Sequence, residues 1–141
     1  MQNGSPMTSS QKYTGDRPGR ERSLRIVIVD DSEDFRVVLR ELLQMLFDVE
    51  VVALGANGFD ALELTAEHGP DLIIMDVNMP VLDGPLAASM ISTHFPSTTI
   101  LMMSSEDSPE IRERCLQSGA QAFSAKNDVT HRIADLQPQL S

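Results

Sequence analysis

Five short apolar runs mark the chain from residue 24 onward, and segments of helical periodicity separate them. Four runs are rich in aliphatic residues and the fifth is weaker, but all are too short for helices and predict strands: LRIVIV (24–29), VEVVAL (49–54), DLIIMD (71–76), TTILMM (98–103) and AQAFSA (120–125). Phe35, Leu39 and Leu43 begin a helical pattern after the first run. Similar patterns follow the later runs, and the last one predicts a short helix over residues 128–136. The chain therefore predicts five strands and five helices in strict alternation.

Strict alternation of strands and helices is typical of α/β proteins. It predicts a doubly wound, five-stranded parallel sheet with right-handed crossovers between the strands. The uninterrupted apolar run in residues 71–76 predicts a strand buried on both faces. Ligands bind such sheets beyond the carboxyl ends of the strands, so polar residues at those positions are the candidates for a functional site.

Residues 1–23 have a different composition from the rest of the chain. They are rich in Gly, Pro, Ser, Thr and charged residues without apolar periodicity, which predicts a disordered leader. MQNGSP, followed by a second methionine at Met7, is typical of the remainder of an expression tag. A basic arm with its own function is the alternative interpretation. We expect a single folded domain over residues 24–137.

The composition is acidic, with 11 basic and 21 acidic residues and a formal net charge of −10 at pH 7. Five of the basic residues but only two of the acidic ones lie in the first 25 positions, so the remainder carries a net charge near −13. Such a surface repels nucleic-acid phosphates, and we expect no direct nucleic-acid binding by the domain. A helix needs about 20 apolar residues to span a membrane, and no apolar run in the chain approaches that length. We therefore expect no membrane insertion. A single cysteine and no secretory signal predict a cytoplasmic protein.

Polar residues stand at the carboxyl ends of four predicted strands. Asp30 and Asp31 follow the first strand, Asp76 ends the third, Ser104 follows the fourth and Lys126 follows the fifth. These ends share one edge of a parallel sheet, so we expect the side chains to converge. Adjacent carboxylates repel one another unless a cation lies between them, and oxygen-only ligands favour Mg²⁺. Asp76 is then a candidate nucleophile for an aspartyl phosphate, with Mg²⁺ and the Lys126 ammonium stabilising the transferring phosphoryl group.

The chain contains four further diagnostic segments, IVIVDDSEDFRVVL, LIIMDVNMPVLDG, ILMMSSE and GAQAFSAK. In this order and spacing they resemble the signature segments of bacterial two-component response regulator receiver domains, the family that includes the chemotaxis regulators. The resemblance covers residues 24–136. It implies a flavodoxin-like fold with strand order 2-1-3-4-5.

The resemblance implies a role for each charged residue at this edge. Asp76 is the expected phosphoacceptor, and Lys126 is the expected contact of the phosphoryl group. Asp31, Asp76 and the backbone carbonyl of Asn78 are expected to contact Mg²⁺ directly, whereas Asp30 is expected to act through water.

The same resemblance assigns a conformational switch. Ser104 takes the position of the switch hydroxyl, and Phe123 takes that of the switch aromatic residue. Asn78, Ser105 and Glu106 stand where the rate of dephosphorylation is tuned. We expect a domain that catalyses only its own phosphoryl transfer and autodephosphorylation, rather than a conventional enzyme.

The resemblance also implies partners. A sensor histidine kinase or a phosphotransfer protein is the expected phosphodonor, and a homodimer is expected to form through the fourth helix, fifth strand and fifth helix. Asn127 follows Lys126 where many receivers have a proline after a cis bond, so we expect either a trans peptide or a strained loop. This departure favours the branch of NarL/LuxR-type regulators. We expect no output domain of that type within this chain, which is either a stand-alone receiver or a fragment of a longer regulator.

Three other functions share part of this pattern. A phosphatase or phosphotransferase with an aspartyl nucleophile would have a second acid two residues after the nucleophile, where this chain has Asn78. A flavin-binding protein would need aromatic residues to stack on the ring, but the chain has no Trp and one Tyr. A pseudo-receiver that is not phosphorylated is the third alternative, and the full set of acids argues against it.

Overall fold

Helices cover both faces of a five-stranded parallel sheet in the computed structural model, which describes residues 23–140. The elements are β1 (Leu24–Val29), α1 (Glu33–Leu46), β2 (Val49–Gly55), α2 (Gly58–His68), β3 (Leu72–Asp76), α3 (Gly84–His94), β4 (Thr99–Ser104), α4 (Pro109–Gln117), β5 (Ala122–Ala125) and α5 (Val129–Leu140). The strand order is β2-β1-β3-β4-β5, which confirms the predicted topology. Apart from Ser23, the predicted disordered leader lies outside the described residues.

Side chains alternate between the two faces of the sheet and form two core clusters. Ile26 and Ile28 of β1 belong to the cluster shared with α1 and α5, which we call the α1/α5 face. Val27 and Val29 belong to the cluster shared with α2, α3 and α4. Every residue of β3 is buried, as its apolar run predicts for a central strand covered on both sides.

Four helices begin at the carboxyl edge of the sheet with a polar cap. Ser32, Asn57, Asp83 and Ser108 each accept a backbone N–H from the first turn of α1, α2, α3 and α4, at 2.9–3.2 Å. Each cap satisfies a donor that the helix itself leaves unpaired. The caps therefore fix the loops that surround this edge.

The C-terminal region differs from the prediction at one helix end. A 3₁₀ turn over Lys126–Asp128 precedes α5, and α5 continues to Leu140 instead of ending at residue 136. The predicted end was wrong because Ile133, Leu136 and Leu140 follow a helical spacing and pack on the α1/α5 face. The peptide after Lys126 is trans, since residues 23–140 contain no cis bond. No helix in that range is long and apolar enough to cross a bilayer.

Cys115 is fully buried in the cluster beneath α2, α3 and α4. Burial raises the pKa of its thiol to about 11, although the nearby Arg114 acts in the opposite direction. The thiolate is the reactive form and burial also blocks access to it, so we expect Cys115 to react with a disulfide reagent at pH 8 at least about 100-fold more slowly than the same thiol in urea-unfolded protein. Equal labelling rates in native and unfolded protein would contradict this placement.

Candidate functional site

The ends of three strands bring Asp30, Asp31, Asp76 and Lys126 together at the carboxyl edge. Asp30 and Asp31 follow β1, Asp76 is the last residue of β3, and Lys126 follows β5. One carboxylate oxygen of each aspartate lies within 4.8 Å of the others. Lys126 Nζ lies 2.6 Å from Asp30 Oδ2 and 3.3 Å from Asp76 Oδ2. The structure thus brings together the four charged residues that the sequence placed at this edge.

The loop after β1 holds Asp30 in a fixed position. Asp30 is fully buried, whereas Asp31 is exposed. The backbone N–H of Asp30 donates to Gly55 at 3.0 Å, and its Oδ1 accepts the N–H of Ser32 at 2.8 Å. Arg36 Nη1 donates to the carbonyl oxygen of Asp30 at 2.7 Å. These contacts join the loop to β2 and α1, and Oδ2 of Asp30 faces Lys126.

Asp76 ends the central strand of the sheet and is 5% exposed. Its Oδ1 accepts a long hydrogen bond, at 3.4 Å, from the backbone N–H of Asn78. Val77 donates to Met103 at 2.9 Å, and Gly84 donates back to Val77 at 3.0 Å, which folds the following loop against the strand. A Cβ on Gly84 would lie 2.3 Å from the backbone oxygen of Asp76, so this position has no room for a side chain.

The charges in the site are unbalanced. Burial raises the pKa of the Asp76 carboxyl, the Asp30 carboxylate raises it further, and Lys126 only partly offsets both effects. Burial lowers the pKa of the Lys126 ammonium, but hydrogen bonding and attraction to Asp30 and Asp76 outweigh burial and raise it overall. Lys126 pairs with only two of the three clustered carboxyl groups, those of Asp30 and Asp76, so a bound cation would relieve the remaining repulsion.

The donor set fits a magnesium ion. The three groups are carboxylates, which are hard oxygen ligands, and two of them come from buried residues. Oδ2 of Asp30 is buried, and Lys126 Nζ pairs with it at 2.6 Å. Asp31 stays open to solvent, as a ligand of a partly hydrated ion must.

The loop after β4 contains the predicted switch hydroxyl. Ser104 is fully buried, and its Oγ accepts the backbone N–H of Glu106 at 3.0 Å rather than lying on Asp76. Asn78, Ser105 and Glu106 are all exposed around the mouth of the site. Ser104 is therefore at the predicted edge, but it is bonded to its own loop.

Phe123, the predicted switch aromatic residue, is buried in β5 at 4% exposure. The guanidinium of Arg112 lies over its ring, 5.3 Å from the centroid, and Arg112 Nη2 also pairs with Asp107 Oδ1 at 2.6 Å. Arg132 Nε donates to the backbone oxygen of Phe123 at 3.2 Å. The ring is thus covered by an arginine that is held by the loop after β4.

The sequence did not identify four residues as part of this site: Phe35, Arg36, Gly84 and Arg112. Phe35 has the helical spacing of a core residue, and Gly84 stands in a loop where glycine is common. Arg36 and Arg112 have the sequence context of solvated helix charges. Only the position of Phe35 and Arg36 in the first turn of the helix after the acid pair could have drawn attention to these two residues.

Comparison with protein families identifies one match. Residues 26–136 match the response regulator receiver domain. Among curated proteins, the transcriptional regulatory protein DegU of Brevibacillus brevis is 35% identical over 106 residues, which cover 75% of this chain and 45% of DegU. The oxygen regulatory protein NreC of Staphylococcus epidermidis is 39% identical over 111 residues, which cover 78% of this chain and 51% of NreC. The chain spans about half the length of these relatives.

A solved structure shows the same fold. The signal receiver domain of a response regulator designated NarL, from Mycobacterium tuberculosis, superposes with a TM-score of 0.75 at 31% identity. The match covers 81% of this chain and 95% of that domain. These similarities agree with the family and the NarL-type branch that the sequence motifs indicated.

Proposed function

Because this chain belongs to the response regulator receiver domain family of two-component signalling, we propose that Asp76 is its phosphoacceptor. Phosphorylation by a histidine kinase is the general function of this family. One observation carries the assignment to Asp76: its carboxylate ends the central strand beside two further acids and lies 3.3 Å from the Lys126 ammonium. Asp30 also contacts Lys126, but it is fully buried and follows the neighbouring strand β1, whereas Asp76 ends the central strand.

The residues divide into a metal-binding set and a phosphoryl-binding set. Asp31, Asp76 and the backbone carbonyl of Asn78 would hold Mg²⁺ directly, with Asp30 acting through water. When bound, Mg²⁺ neutralises charge on the oxygens of the transferring phosphoryl group. Lys126 stabilises the same developing charge from the side of β5.

The reaction is a transfer between two nucleophiles. A carboxylate oxygen of Asp76 attacks the phosphorus of a phosphohistidine on the kinase or phosphotransfer protein. The new P–O bond forms as the P–N bond breaks, and the bonding electron pair returns to the imidazole nitrogen. Little else is required of the protein, because phosphoryl transfer depends mainly on positioning and charge stabilisation.

The phosphoryl group is reported through the loop after β4. The Ser104 hydroxyl donates to a phosphoryl oxygen, and the movement that brings it there breaks the hydrogen bond that it accepts from the Glu106 N–H. Asp107 lies in the same loop and holds Arg112 over Phe123. Movement of the loop therefore releases the cover of Phe123 and repacks the face formed by α4, β5 and α5.

The repacked face is where we place a homodimer or an output domain. The matched segment covers only 45% of DegU and 51% of NreC, which leaves room for an output domain in the whole protein. Asn78, Ser105 and Glu106 surround the path of a water molecule toward Asp76 and set the lifetime of the phosphorylated state. A free, buried cysteine is consistent with a reducing cytoplasm.

Acetyl phosphate tests this proposal without a cognate kinase. We expect intact-mass spectrometry to detect one added phosphoryl group in the presence of Mg²⁺ and none in EDTA. The amide resonance of Glu106 should shift on phosphorylation, because its acceptor Ser104 turns away. Modification that proceeds equally in EDTA, or a mass increase mapped to another residue, would contradict the proposed site.

A further inference from the structure

The ring of Phe35 lies against the ammonium of Lys126. Nζ is 4.7 Å from the ring centroid, within the range of a cation–π contact. The same nitrogen contacts Asp30 and Asp76. Lys126 Nζ therefore contacts two carboxylates and an aromatic face, and its side chain is only 21% exposed.

The position of Phe35 is fixed by helix α1 rather than by Lys126. Phe35 lies in the first turn of α1, where its backbone N–H donates to the cap residue Ser32 at 3.2 Å. Its side chain packs against the core cluster of the α1/α5 face. The backbone N–H of Ser32 also donates to the Asp30 carboxylate, so the same short segment holds both Asp30 and the ring of Phe35.

An ammonium on a four-carbon stem needs such a support. Lys126 follows the edge strand β5, and its side chain must cross toward β1 and β3 to reach both carboxylates. A free lysine side chain samples many rotamers and stays hydrated. The aromatic face attracts the charge and displaces water from it, which narrows the positions of Nζ and strengthens its electrostatic effect.

We infer that Phe35 is a positioning residue for phosphoryl transfer, holding the Lys126 ammonium where it meets the transferring group. The inference rests on the proposed roles of Asp76 and Lys126. If the inference is correct, Phe35 increases the rate of Asp76 phosphorylation through the electron density of its ring, and not merely by filling space. The start of α1 thereby supports the reaction site in two ways. The N–H of its cap residue Ser32 binds the Asp30 carboxylate, and the ring of Phe35 contacts Lys126.

Fluorination of the ring separates these two contributions. Each added fluorine withdraws electron density from the face and weakens a cation–π contact, whereas the shape of the side chain changes little. Replacing Phe35 site-specifically with mono-, di- and trifluorophenylalanine should lower the rate of phosphorylation by acetyl phosphate in steps, at saturating Mg²⁺. We expect a total decrease of about twofold to fivefold, and a similar or larger decrease for Phe35→Leu.

Phe47 provides the matched control. It packs against the same core cluster but lies at the opposite end of α1, about 18 Å along the helix axis from Phe35. Its fluorinated series should keep the rate of the unsubstituted protein. A flat Phe35 series, or an equal decline in both series, would overturn the inference while leaving the proposed function intact. No phosphorylation of the unsubstituted protein would instead overturn the proposed function and the inference together.

Discussion

We expect replacement of Asp76 with asparagine to abolish phosphorylation by acetyl phosphate in the presence of Mg²⁺. The amide keeps the shape of the side chain but has no anionic oxygen to attack phosphorus. It also removes one of the negative charges that attract the cation. We expect the rate, followed by intact-mass spectrometry, to fall at least about a thousandfold, as is usual when a nucleophile is removed.

Asp83→Asn is the matched control for this substitution. Asp83 lies in the loop that follows Asp76, and its Oδ1 caps α3 by accepting the Leu86 N–H at 3.0 Å. Asparagine retains that cap and loses only an exposed ion pair with Arg114, which contributes little. This variant should be phosphorylated at the rate of the unsubstituted protein. Labelling of Asp76→Asn at that same rate would move the acceptor to another residue.

The Asp76→Asn substitution should also stabilise the fold when no metal is present. Folding raises the pKa of Asp76 above its ordinary value of 3.8, so the ionised carboxylate opposes folding at neutral pH. We expect the free energy of unfolding in EDTA at pH 7 to rise by roughly 1 kcal/mol, within the usual range for single substitutions. Urea denaturation provides the measurement.

The gain has a defined pH dependence. A group with a raised folded pKa favours the native state fully below its unfolded pKa, and this contribution is lost as pH rises through the folded pKa. The two proteins should therefore have similar stability near pH 4, and the advantage of Asp76→Asn should grow as pH rises above that point. A gain that stays constant from pH 4 to pH 7 would show that ionisation of Asp76 is not its cause.

Gly84→Ala should damage both the fold and the site. The new Cβ would lie 2.3 Å from the backbone oxygen of Asp76 and 2.7 Å from Cε of Met102. Met102 is flexible, but the backbone of β3 is held in the middle of the sheet and cannot yield cheaply. We expect unfolding to become easier by roughly 3 kcal/mol, the upper end of the range for overpacking. Phosphorylation should slow as well, because any relief moves Asp76.

Gly69→Ala distinguishes this steric effect from the general cost of replacing glycine. Gly69 ends α2 in a left-handed conformation, with φ 54°, and its Cβ would meet nothing within 4 Å. Alanine there should cost about 1 kcal/mol from backbone strain alone and leave the phosphorylation rate unchanged. Equal denaturation midpoints for the two variants, or normal phosphorylation of Gly84→Ala, would be incompatible with close packing at Asp76.

The sequence predicted the sheet and its site to a large extent. Apolar runs located all five strands within a few residues, since a buried parallel strand needs such a run and its neighbours end in polar turns. Acids at the ends of β1 and β3 and the lysine after β5 had to meet, because parallel strands place their carboxyl ends at one edge. The end of α5 was less predictable, since helix ends depend on packing of the last turn.

The sequence alone thus determined that Asp30, Asp31, Asp76 and Lys126 lie together, because each follows or ends a strand that its apolar pattern identifies. Only the tertiary structure decided how those charges are supported. The ring of Phe35 contacts the ammonium of Lys126, which is distant in sequence. The backbone of Gly84 packs against that of Asp76, on the other side of a loop. Such contacts depend on the direction of side chains and on the distance between backbones. Hydrophobic periodicity in the sequence indicates neither of these.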